Sequence, residues 1–189
     1  MSTVGILALQ GDVERHEAAL ESLGHATQRV RGAAELDGCS ALVIPGGEST
    51  TLSTLLHRRG LTAALRRFGA SHPVLGTCAG LVLMARDNGD TRVASLGLLD
   101  VRLQRNHYGS QRHSFSTDLE VPALAEGPLA ADFIRAPAIL DAGPGVEVLA
   151  RCDGLPVLVR QGRHVGASFH PELAGDARIH RLWLEGACH

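Results

Sequence analysis

The stretch Pro73-Val74-Leu75-Gly76-Thr77-Cys78-Ala79-Gly80-Leu81-Val82-Leu83-Met84 predicts a buried strand, a sharp turn at a cysteine and a helix. Small residues on both sides of Cys78 allow a tight strand-to-helix turn, the cysteine counterpart of the serine elbow G-x-S-x-G. The sulfur would lie at the start of the helix, where unpaired N–H groups favour the thiolate. We interpret Cys78 as a candidate nucleophile; the alternative is a small buried core residue, since free cysteines are often buried.

Length and composition predict one domain, residues 1–189. The chain has 44% hydrophobic residues and a formal net charge of -2, and its length suits one buried core better than two. Near-neutral charge without a basic run argues against a nucleic-acid partner, and no apolar run approaches the roughly 20 residues of a membrane span. Residues 1–3 lack the basic flank of a secretory signal, so we expect a cytoplasmic protein.

The spacing of cysteines and histidines indicates no metal site. The four cysteines form no C-x-x-C pair, which argues against a zinc ribbon or a disulfide framework: Cys39, Cys78, Cys152 and Cys188. No histidines show H-E-x-x-H spacing, so we expect no metal or cofactor. Solvated or capping roles are expected for His16, His25, His57, His72 and His180.

Strand-like and helix-like runs alternate through the first half of the chain. Residues 4–9, 26–30 and 41–44 read as strands, the first and third as continuous apolar runs of the kind buried inside a parallel sheet. Helices are predicted between and after them. This rhythm indicates an α/β fold, a doubly wound and mostly parallel open sheet with helices on both faces and a flavodoxin-like core.

The predicted helices begin and end at recognisable signals. Asp12 is expected to cap the first helix and Gly24 to end it. Its core-facing residues are expected to be Val13, Ala18, Leu20 and Leu23. Further helices are predicted for residues 49–60, 61–69 and 176–187, and in the last of these Ile179, Leu182 and Trp183 are spaced to face inward.

The later half of the chain is richer in strands. Short alternating runs occur at residues 101–105, 114–121 and 133–136. Asp153-Gly154 and Gln161-Gly162 are turn signals that separate further runs at residues 146–151, 155–160 and 165–169. We therefore expect antiparallel strands at the edge of the sheet.

The loop Pro45-Gly46-Gly47-Glu48-Ser49-Thr50-Thr51 follows the third predicted strand. Ligands of open α/β sheets bind at the carboxyl ends of strands, where two glycines let backbone N–H groups turn toward them. A phosphate cradle is one interpretation, but the P-loop lysine is missing and Glu48 would repel a phosphate. An oxyanion hole fits better; the alternative is a glycine turn that serves geometry only.

The segment Ala167-Ser168-Phe169-His170-Pro171-Glu172 ends the last predicted strand. Residues two apart on an extended chain point to the same side, so His170 and Glu172 are expected to lie together, with Pro171 keeping the segment extended. A carboxylate beside an imidazole fixes its tautomer and stabilises its cation. Because this segment, the glycine loop and Cys78 all follow strands, they can meet at one sheet edge; a solvent-exposed His-Pro-Glu is the alternative.

Further motifs accompany these stretches along nearly the whole chain: Leu9-Gln10-Gly11, Leu96-Gly97-Leu98-Leu99, Arg105-Asn106 and Phe133-Ile134-Arg135-Ala136-Pro137. Together with the cysteine elbow, the glycine loop and His-Pro-Glu, they resemble the class I glutamine amidotransferases. Within that family the sequence is most similar to the glutaminase subunits of pyridoxal 5'-phosphate synthases. The resemblance implies hydrolysis of L-glutamine to glutamate and ammonia through a γ-glutamyl thioester, without a metal or cofactor.

The resemblance also assigns roles to residues. It implies that Cys78 is the nucleophile, His170 the base and Glu172 the partner of the base. It implies glutamine contacts by Gly47, Glu48, Ser49, Arg105, Ile134 and Arg135. For the oxyanion hole we expect the backbone N–H groups of Gly47 and Ala79.

The partner implied by the resemblance is the (β/α)8-barrel subunit of pyridoxal 5'-phosphate synthase, whose docking switches the glutaminase on. Gln10 and Gly46 are candidates for the switch or for sensing the partner, because they lie near the same sheet edge. The chain departs from the family pattern Arg-Asn-x-Phe-Gly-Arg-Gln, since it reads Arg105-Asn106-His107-Tyr108-Gly109-Ser110-Gln111. Ser110 removes a positive charge near the expected mouth of the site.

Three other functions are compatible with parts of the pattern. The nearest is the glutaminase subunit of another amidotransferase, such as that of histidine or purine biosynthesis. A non-catalytic regulatory subunit is a second, although such a protein commonly loses the nucleophile or the base. A cysteine hydrolase with another substrate would share the elbow, but it would not explain Gly47-Glu48-Ser49 together with Arg105.

Overall fold

The structure, a computed structural model, describes residues 2–107 and 114–187. Within these residues the strands are β1 (Thr3–Leu7), β2 (Ala26–Val30), β3 (Cys39–Ile44), β4 (Val74–Thr77), β5 (Ala85–Asp87), β6 (Leu99–Gln104), β7 (Phe115–Leu119), β8 (Leu129–Phe133), β9 (Ala138–Ala142), β10 (Glu147–Cys152), β11 (Leu155–Gln161) and β12 (His164–Ala167). The α-helices are α1 (Val13–Ser22), α2 (Ser49–Arg58), α3 (Leu61–Ser71), α4 (Ala79–Met84) and α5 (Arg178–Gly186). Short 3-10 helices cover Ala33–Leu36 and Pro171–Ala174.

The central sheet has the strand order β10-β11-β12-β4-β3-β1-β2. Five neighbouring strands, from β12 to β2, are parallel, and β10 and β11 continue the sheet as antiparallel strands. The predicted doubly wound sheet with antiparallel edge strands is therefore confirmed.

The register of the sheet aligns the three strand ends that matter for function. Gly76 of β4 lies opposite Ile44 of β3 on one side and opposite Gly166 of β12 on the other. The three chains leave the sheet within a residue or two of this row. The glycine loop, Cys78 and the segment leading to His170 consequently start side by side, as parallel strands require.

Alternate residues of the central strands pack into two separate cores. On β3, Leu42 and Ile44 face a core built with α2, α3 and α4, whereas Ala41 and Val43 face a core built with α1 and α5. All four side chains are at most 1% exposed. Strands buried on both faces have continuous apolar runs, which explains why β3 was recognisable from its sequence.

Two strand predictions in the later half were wrong about location. Residues 101–105 and 114–121 form β6 and β7, but these strands lie in a three-stranded sheet (β5-β6-β9) and a hairpin (β7-β8) outside the central sheet. The run at residues 133–136 is not a strand beyond Phe133, because Arg135 has a positive φ of 48°. Alternation of apolar and polar residues indicates a half-buried strand, but it does not indicate which sheet the strand joins.

The buried face of α1 differs from the predicted one. Val13 and Leu20 are buried as expected, but Ala18 is exposed and His16 takes the inward position instead. Asp12 occupies the N-cap position, but its side chain makes no capping hydrogen bond. No α-helix in residues 2–107 and 114–187 combines the length and apolar character needed to cross a membrane.

The cysteine elbow depends on two glycines that admit a neighbouring backbone. A Cβ atom on Gly80 would lie 2.0 Å from the carbonyl oxygen of Ile44, and one on Gly76 would lie 2.7 Å from the carbonyl carbon of Gly80. Any side chain at these positions would push α4 away from β3 and β4. The small residues that predicted the turn are therefore required by close approach of backbone to backbone.

We expect Gly80→Ala to lower the free energy of unfolding by about 3 kcal/mol, because the added methyl group overpacks against the Ile44 carbonyl. Urea unfolding followed by circular dichroism measures the change. Gly32→Ala is the matched control, since Gly32 has an extended φ of -147° and its added Cβ would meet only a flexible Glu35 side chain. Equal stability of both variants would contradict this account of the elbow.

Candidate active site

The strand ends of β3, β4 and β12 open onto a cleft of about 320 Å³. Nine of the twelve site residues singled out from the sequence contribute to its wall, namely Gly47, Glu48, Ser49, Cys78, Ala79, Arg105, Ile134, Arg135 and His170, whereas Gln10, Gly46 and Glu172 do not line it. Asp12, Val82, Asn106, Pro137 and Leu173 also line it. The structure thus brings together residues that are up to 161 positions apart along the chain, from Asp12 to Leu173.

Cys78 lies at the junction of β4 and α4 in a strained conformation. Its φ of 47° and ψ of -102° are unusual for a residue other than glycine. Its backbone N–H donates to the carbonyl of Ala167 at 2.8 Å, which ties the elbow to β12. The side chain is 7% exposed, and its Sγ lies 3.9 Å from the carbonyl oxygen of Ile134.

His170 and Glu172 are hydrogen-bonded through Nδ1 and Oε1 at 2.7 Å. The proximity was predicted, but the extended backbone invoked for it was wrong, because Pro171 starts a 3-10 helix that contains Glu172. A proline with fixed φ suits the first turn of a helix. The turn buries Glu172 to 2% exposure beneath the imidazole, and the backbone N–H of His170 donates to the carbonyl of Asp132.

The charges of these groups reinforce one another. Burial alone lowers the pKa of His170, but its hydrogen bonds and charge interactions with Cys78 and Glu172 outweigh burial and raise that pKa to about 10. Burial raises the pKa of the Glu172 carboxyl, but the hydrogen bond from His170 brings it below its ordinary value. The imidazolium of His170 is therefore held between a carboxylate and the sulfur of Cys78.

The glycine loop is packed tightly against this pair and against Gln10. A Cβ on Gly46 would lie 2.2 Å from Cε1 of His170, and one on Gly47, whose φ is 143°, would lie 3.1 Å from Cδ of Gln10. In the amide orientation that satisfies both groups, Gln10 donates to the carbonyl of Glu48 at 3.2 Å and accepts from its N–H at 3.0 Å. The side chain of Gln10 therefore pairs with both backbone groups of Glu48, as the backbone of a neighbouring β-strand would, and holds the loop in place.

Glu48 caps α2 and faces Arg105 across the cleft. Its carboxylate accepts hydrogen bonds from the backbone N–H groups of Thr50 at 3.0 Å and Thr51 at 2.6 Å. Burial raises the pKa of Glu48, but these hydrogen bonds lower it to about 2. Nη2 of Arg105 lies 3.6 Å from Oε1 of Glu48, and its guanidinium is also bonded to Asp90.

Two buried histidines beneath the cleft were not recognised as such from the sequence. His16 and His180 were expected in solvated or capping positions, but both are 0% exposed. Nδ1 of His16 lies 2.9 Å from Nε2 of His180, and Nε2 of His16 lies 3.6 Å from Oε1 of Glu172. The spacing of Val13, His16 and Leu20 follows the inward face of a helix and was the available signal.

One prediction from the sequence, the effect of Ser110, concerns residues that the structure does not describe. Tyr108, Gly109, Ser110 and Gln111 lie outside the described residues, so the departure at Ser110 has no structural account. Within residues 2–107 and 114–187, no group of three or more histidine, cysteine, aspartate or glutamate side chains is arranged to hold a metal ion.

The fold and the cleft together define a class of protein. A cysteine on a strained strand-to-helix elbow, with an imidazole and a carboxylate at the end of an adjacent strand, is typical of α/β enzymes that form a covalent thioester. The amino-acid sequence narrows the class, since residues 6–188 match the SNO glutamine amidotransferase family. The chain belongs to this family.

Known relatives match almost the full length. The chain is 50% identical over 183 residues to the pyridoxal 5'-phosphate synthase subunit PdxT of Pelotomaculum thermopropionicum, covering 96% of this chain and 93% of that protein. It is 49% identical over 185 residues to the subunit of the same name from Thermus thermophilus, covering 96% of each. The resemblance found in the sequence motifs is thereby confirmed.

Solved structures of glutamine amidotransferases have the same fold as this chain. A crystal structure of a glutamine amidotransferase, 45% identical, superposes with a TM-score of 0.90 and covers 98% of this chain and 99% of its own. The structure of PurLQS from Thermotoga maritima superposes with a TM-score of 0.69 at 17% identity, covering 99% and 97%. At that identity the second likeness shows a shared fold only.

We expect Glu48→Gln to lower the free energy of unfolding by about 0.5–1 kcal/mol near neutral pH, because the charge at the start of α2 is lost. A carboxyl whose pKa falls from 4.5 to about 2 on folding stabilises the protein above its unfolded pKa and loses that effect as pH falls through its folded pKa. The gap between wild type and variant should therefore close from about pH 5 down to about pH 2. Urea unfolding across this range measures it.

Glu185→Gln is the matched control for this change. Glu185 is exposed near the carboxyl end of α5, where a negative charge caps no N–H group. A gap that stayed constant between about pH 7 and pH 2 would show that the Glu48 charge does not stabilise α2.

Proposed function

We propose that this chain, as one glutaminase domain over residues 1–189, hydrolyses L-glutamine and delivers the ammonia to a pyridoxal 5'-phosphate synthase. The observation that carries the proposal is the line of Cys78, His170 and Glu172 at one end of the cleft, with Glu48 and Arg105 facing each other in its wall. Relatives at 49–50% identity are named as subunits of that synthase.

The reaction begins at the sulfur of Cys78. The thiolate, stabilised by the imidazolium of His170, attacks the side-chain carboxamide carbon of glutamine and forms a carbon–sulfur bond. The carbonyl electrons move to oxygen, and the backbone N–H groups of Gly47 and Ala79 receive the resulting negative charge. One such donor typically contributes about 100- to 1000-fold to the rate.

The imidazole of His170 then moves protons in both halves of the reaction. As a cation it protonates the departing nitrogen, the carbon–nitrogen bond breaks and ammonia leaves the thioester. The neutral imidazole next takes a proton from water, whose oxygen attacks the thioester carbon and displaces the thiolate. Glu172 keeps Nδ1 of His170 protonated and stabilises the imidazolium in each step.

Complementary charges in the cleft recognise the amino-acid end of glutamine. The carboxylate of Glu48 attracts the α-ammonium group, and the guanidinium of Arg105 attracts the α-carboxylate. Ser49 supports the Glu48 side of the cleft, while Ile134 and Arg135 form the wall near the sulfur. A side chain one methylene shorter would place its carboxamide away from Cys78, so the cleft favours glutamine over asparagine.

Ammonia released into bulk water is protonated and loses its nucleophilicity, so the product is useful only inside a complex. The partner is the synthase subunit, which the family resemblance implies to be a (β/α)8 barrel that uses the ammonia to build pyridoxal phosphate. Such a biosynthetic complex would work in the cytoplasm. Its assembly also provides the means to silence the glutaminase when no acceptor is present.

Gln10 and Gly46 form the switch in this proposal. A rotation of the peptide between Gly46 and Gly47 presents or withdraws the Gly47 N–H, and glycine permits both states. Gln10 bridges the backbone of Glu48 directly after this peptide. A partner that moves Gln10 would therefore change the availability of the oxyanion donor.

Cys78→Ala should reduce glutamine hydrolysis by at least about a thousandfold, because no other group can form the thioester. Glutamate release by the chain mixed with its synthase subunit measures the loss. Binding to the synthase and the thermal unfolding midpoint should stay near wild type. Cys152→Ala, on β10 away from the cleft, is the control that should retain activity. Hydrolysis that persisted in Cys78→Ala would overturn the assignment of the nucleophile.

Docking on the synthase should raise the glutaminase rate by roughly 5- to 150-fold, the usual range for coupling between two sites. Gln10→Ala should shrink this ratio, because the loop is then no longer tied to the residue that we propose senses the partner. Steady-state rates with and without the synthase test both statements. If the isolated chain is as fast as the complex, no switch exists, although the hydrolase assignment would stand.

A further inference from the structure

A row of buried polar groups extends behind the site. Beginning at Cys78, it passes through His170 and Glu172 and continues to His16 on α1 and His180 on α5. His16 and His180 are both fully buried, and Glu172 is 2% exposed. Protein interiors rarely enclose three such groups unless each has a partner.

The described hydrogen bonds leave three atoms of this row unsatisfied. Within residues 2–107 and 114–187, Nε2 of His16, Nδ1 of His180 and Oε2 of Glu172 make no hydrogen bond. The His16 Nε2 to Glu172 Oε1 distance of 3.6 Å is longer than the roughly 3.2 Å limit of a good hydrogen bond. A small movement of the 3-10 helix Pro171–Ala174 toward α1 would close it.

Electrostatics selects one arrangement of protons. If Nδ1 of His16 were protonated, the lone pair of Nε2 would face the negative carboxylate of Glu172, and the Nδ1–H of His180 would be a buried donor without an acceptor. If Nε2 of His16 is protonated, its N–H faces the carboxylate, and Nε2–H of His180 donates to Nδ1 of His16. In the second arrangement each buried N–H of the pair points at an acceptor, although the His16 Nε2–H is still 3.6 Å from its carboxylate.

Both histidines are neutral in this arrangement. Burial lowers the pKa of His16, against the opposing effect of Glu172. Burial is also the largest cause that lowers the pKa of His180, to about 3. The other charged groups that act on the pair are His170 and Asp12 for His16, and Asp176 for His180. Of these interactions, the one with Glu172 is the direct contact, at 3.6 Å from Nε2 of His16 to Oε1 of the carboxylate.

Resting on the proposed glutaminase function, we propose that His16 is a positioning residue for Glu172, and that His180 fixes the His16 tautomer needed for it. Glu172 carries a full charge while its Oε2 lacks a partner, so one hydrogen bond from His170 does not by itself fix its rotamer. Nε2 of His16, which faces the same Oε1 that accepts from His170, is the donor on α1 that would hold the carboxylate under the imidazole. His16 and His180 touch neither substrate nor the reacting atoms.

The first test reads the tautomers in the unmodified chain. Nitrogen-15 NMR of the imidazole rings should show His16 and His180 both protonated at Nε2 and unprotonated at Nδ1 near neutral pH. This measurement needs no variant, so it is unaffected by any loss of folding. A His16 ring protonated at Nδ1 would overturn the proposal, because its lone pair would then face Glu172.

The second test measures the effect on Cys78 without using glutamine. Alkylation of Cys78 by iodoacetamide is followed against pH and mapped to the residue by mass spectrometry, because Cys39 and Cys152 are also present as free thiols. In His16→Leu the midpoint of the rate profile should rise by roughly half a unit to one unit, since a loosely held Glu172 stabilises the imidazolium less. His16→Gln, whose amide donates from the Nε2 position, should restore the wild-type midpoint.

Leu20→Ala is the control for destabilisation of α1. Leu20 is fully buried on the same helix and contacts the apolar core, so its truncation weakens the fold without touching Glu172. Its alkylation midpoint should equal that of wild type. If His16→Leu and Leu20→Ala behave alike, or if His16→Gln behaves like His16→Leu, His16 has only a packing role.

Turnover in the complex separates this inference from the proposed function. With the synthase bound, His16→Leu should lower kcat on the order of tenfold and leave KM within about twofold, because the protonating group is affected and the glutamine contacts are not. If wild type hydrolyses no glutamine but its alkylation midpoint still depends on His16, the function fails and the positioning role stands. If turnover is unaffected by His16→Leu, the positioning role fails and the function stands.

Discussion

The pairing register of β3, β4 and β12 is the constraint on which the site depends. Gly76 lies between Ile44 and Gly166 in one row of the sheet, so the three chains leave the sheet together. The absence of a side chain at Gly80 lets α4 pack directly on the carbonyl of Ile44 beside this row. A shift of one residue would turn every side chain to the opposite face and separate Cys78 from His170.

Much of this arrangement could be predicted from the sequence, because its signals are local. Apolar runs predicted the parallel strands, the glycines around Cys78 predicted the elbow, and His170 with Glu172 predicted an adjacent base and carboxylate. The strands of the later half were recognisable as strands, but their sheets were not. Pairing partners such as β6 with β9 are set by contacts distant along the chain, which alternation alone does not encode.

The hidden histidines illustrate the other limit of sequence reasoning. A histidine on an amphipathic helix is usually assigned to the solvent-exposed face. His16 is polar, as that face requires, but its position along α1 places it on the buried face. Its position three residues after Val13 and four before Leu20 places it on the buried stripe. The importance of that position became visible only once α5 brought His180, and the His-Pro-Glu segment brought Glu172, to the same place.

The turn before α1 and the first turn of α1 contact two different parts of the site. Gly11, just before α1, packs so closely on Gly46 that a Cβ atom there would lie 2.2 Å from the Gly46 carbonyl oxygen. One turn further along, α1 places His16 beside Glu172. Because a helix moves as a rigid rod on this length scale, a displacement of α1 strains the glycine loop and the carboxylate at once. The short segment from Gly11 to His16 is therefore in contact with both the glycine loop and the carboxylate of the His-Pro-Glu segment.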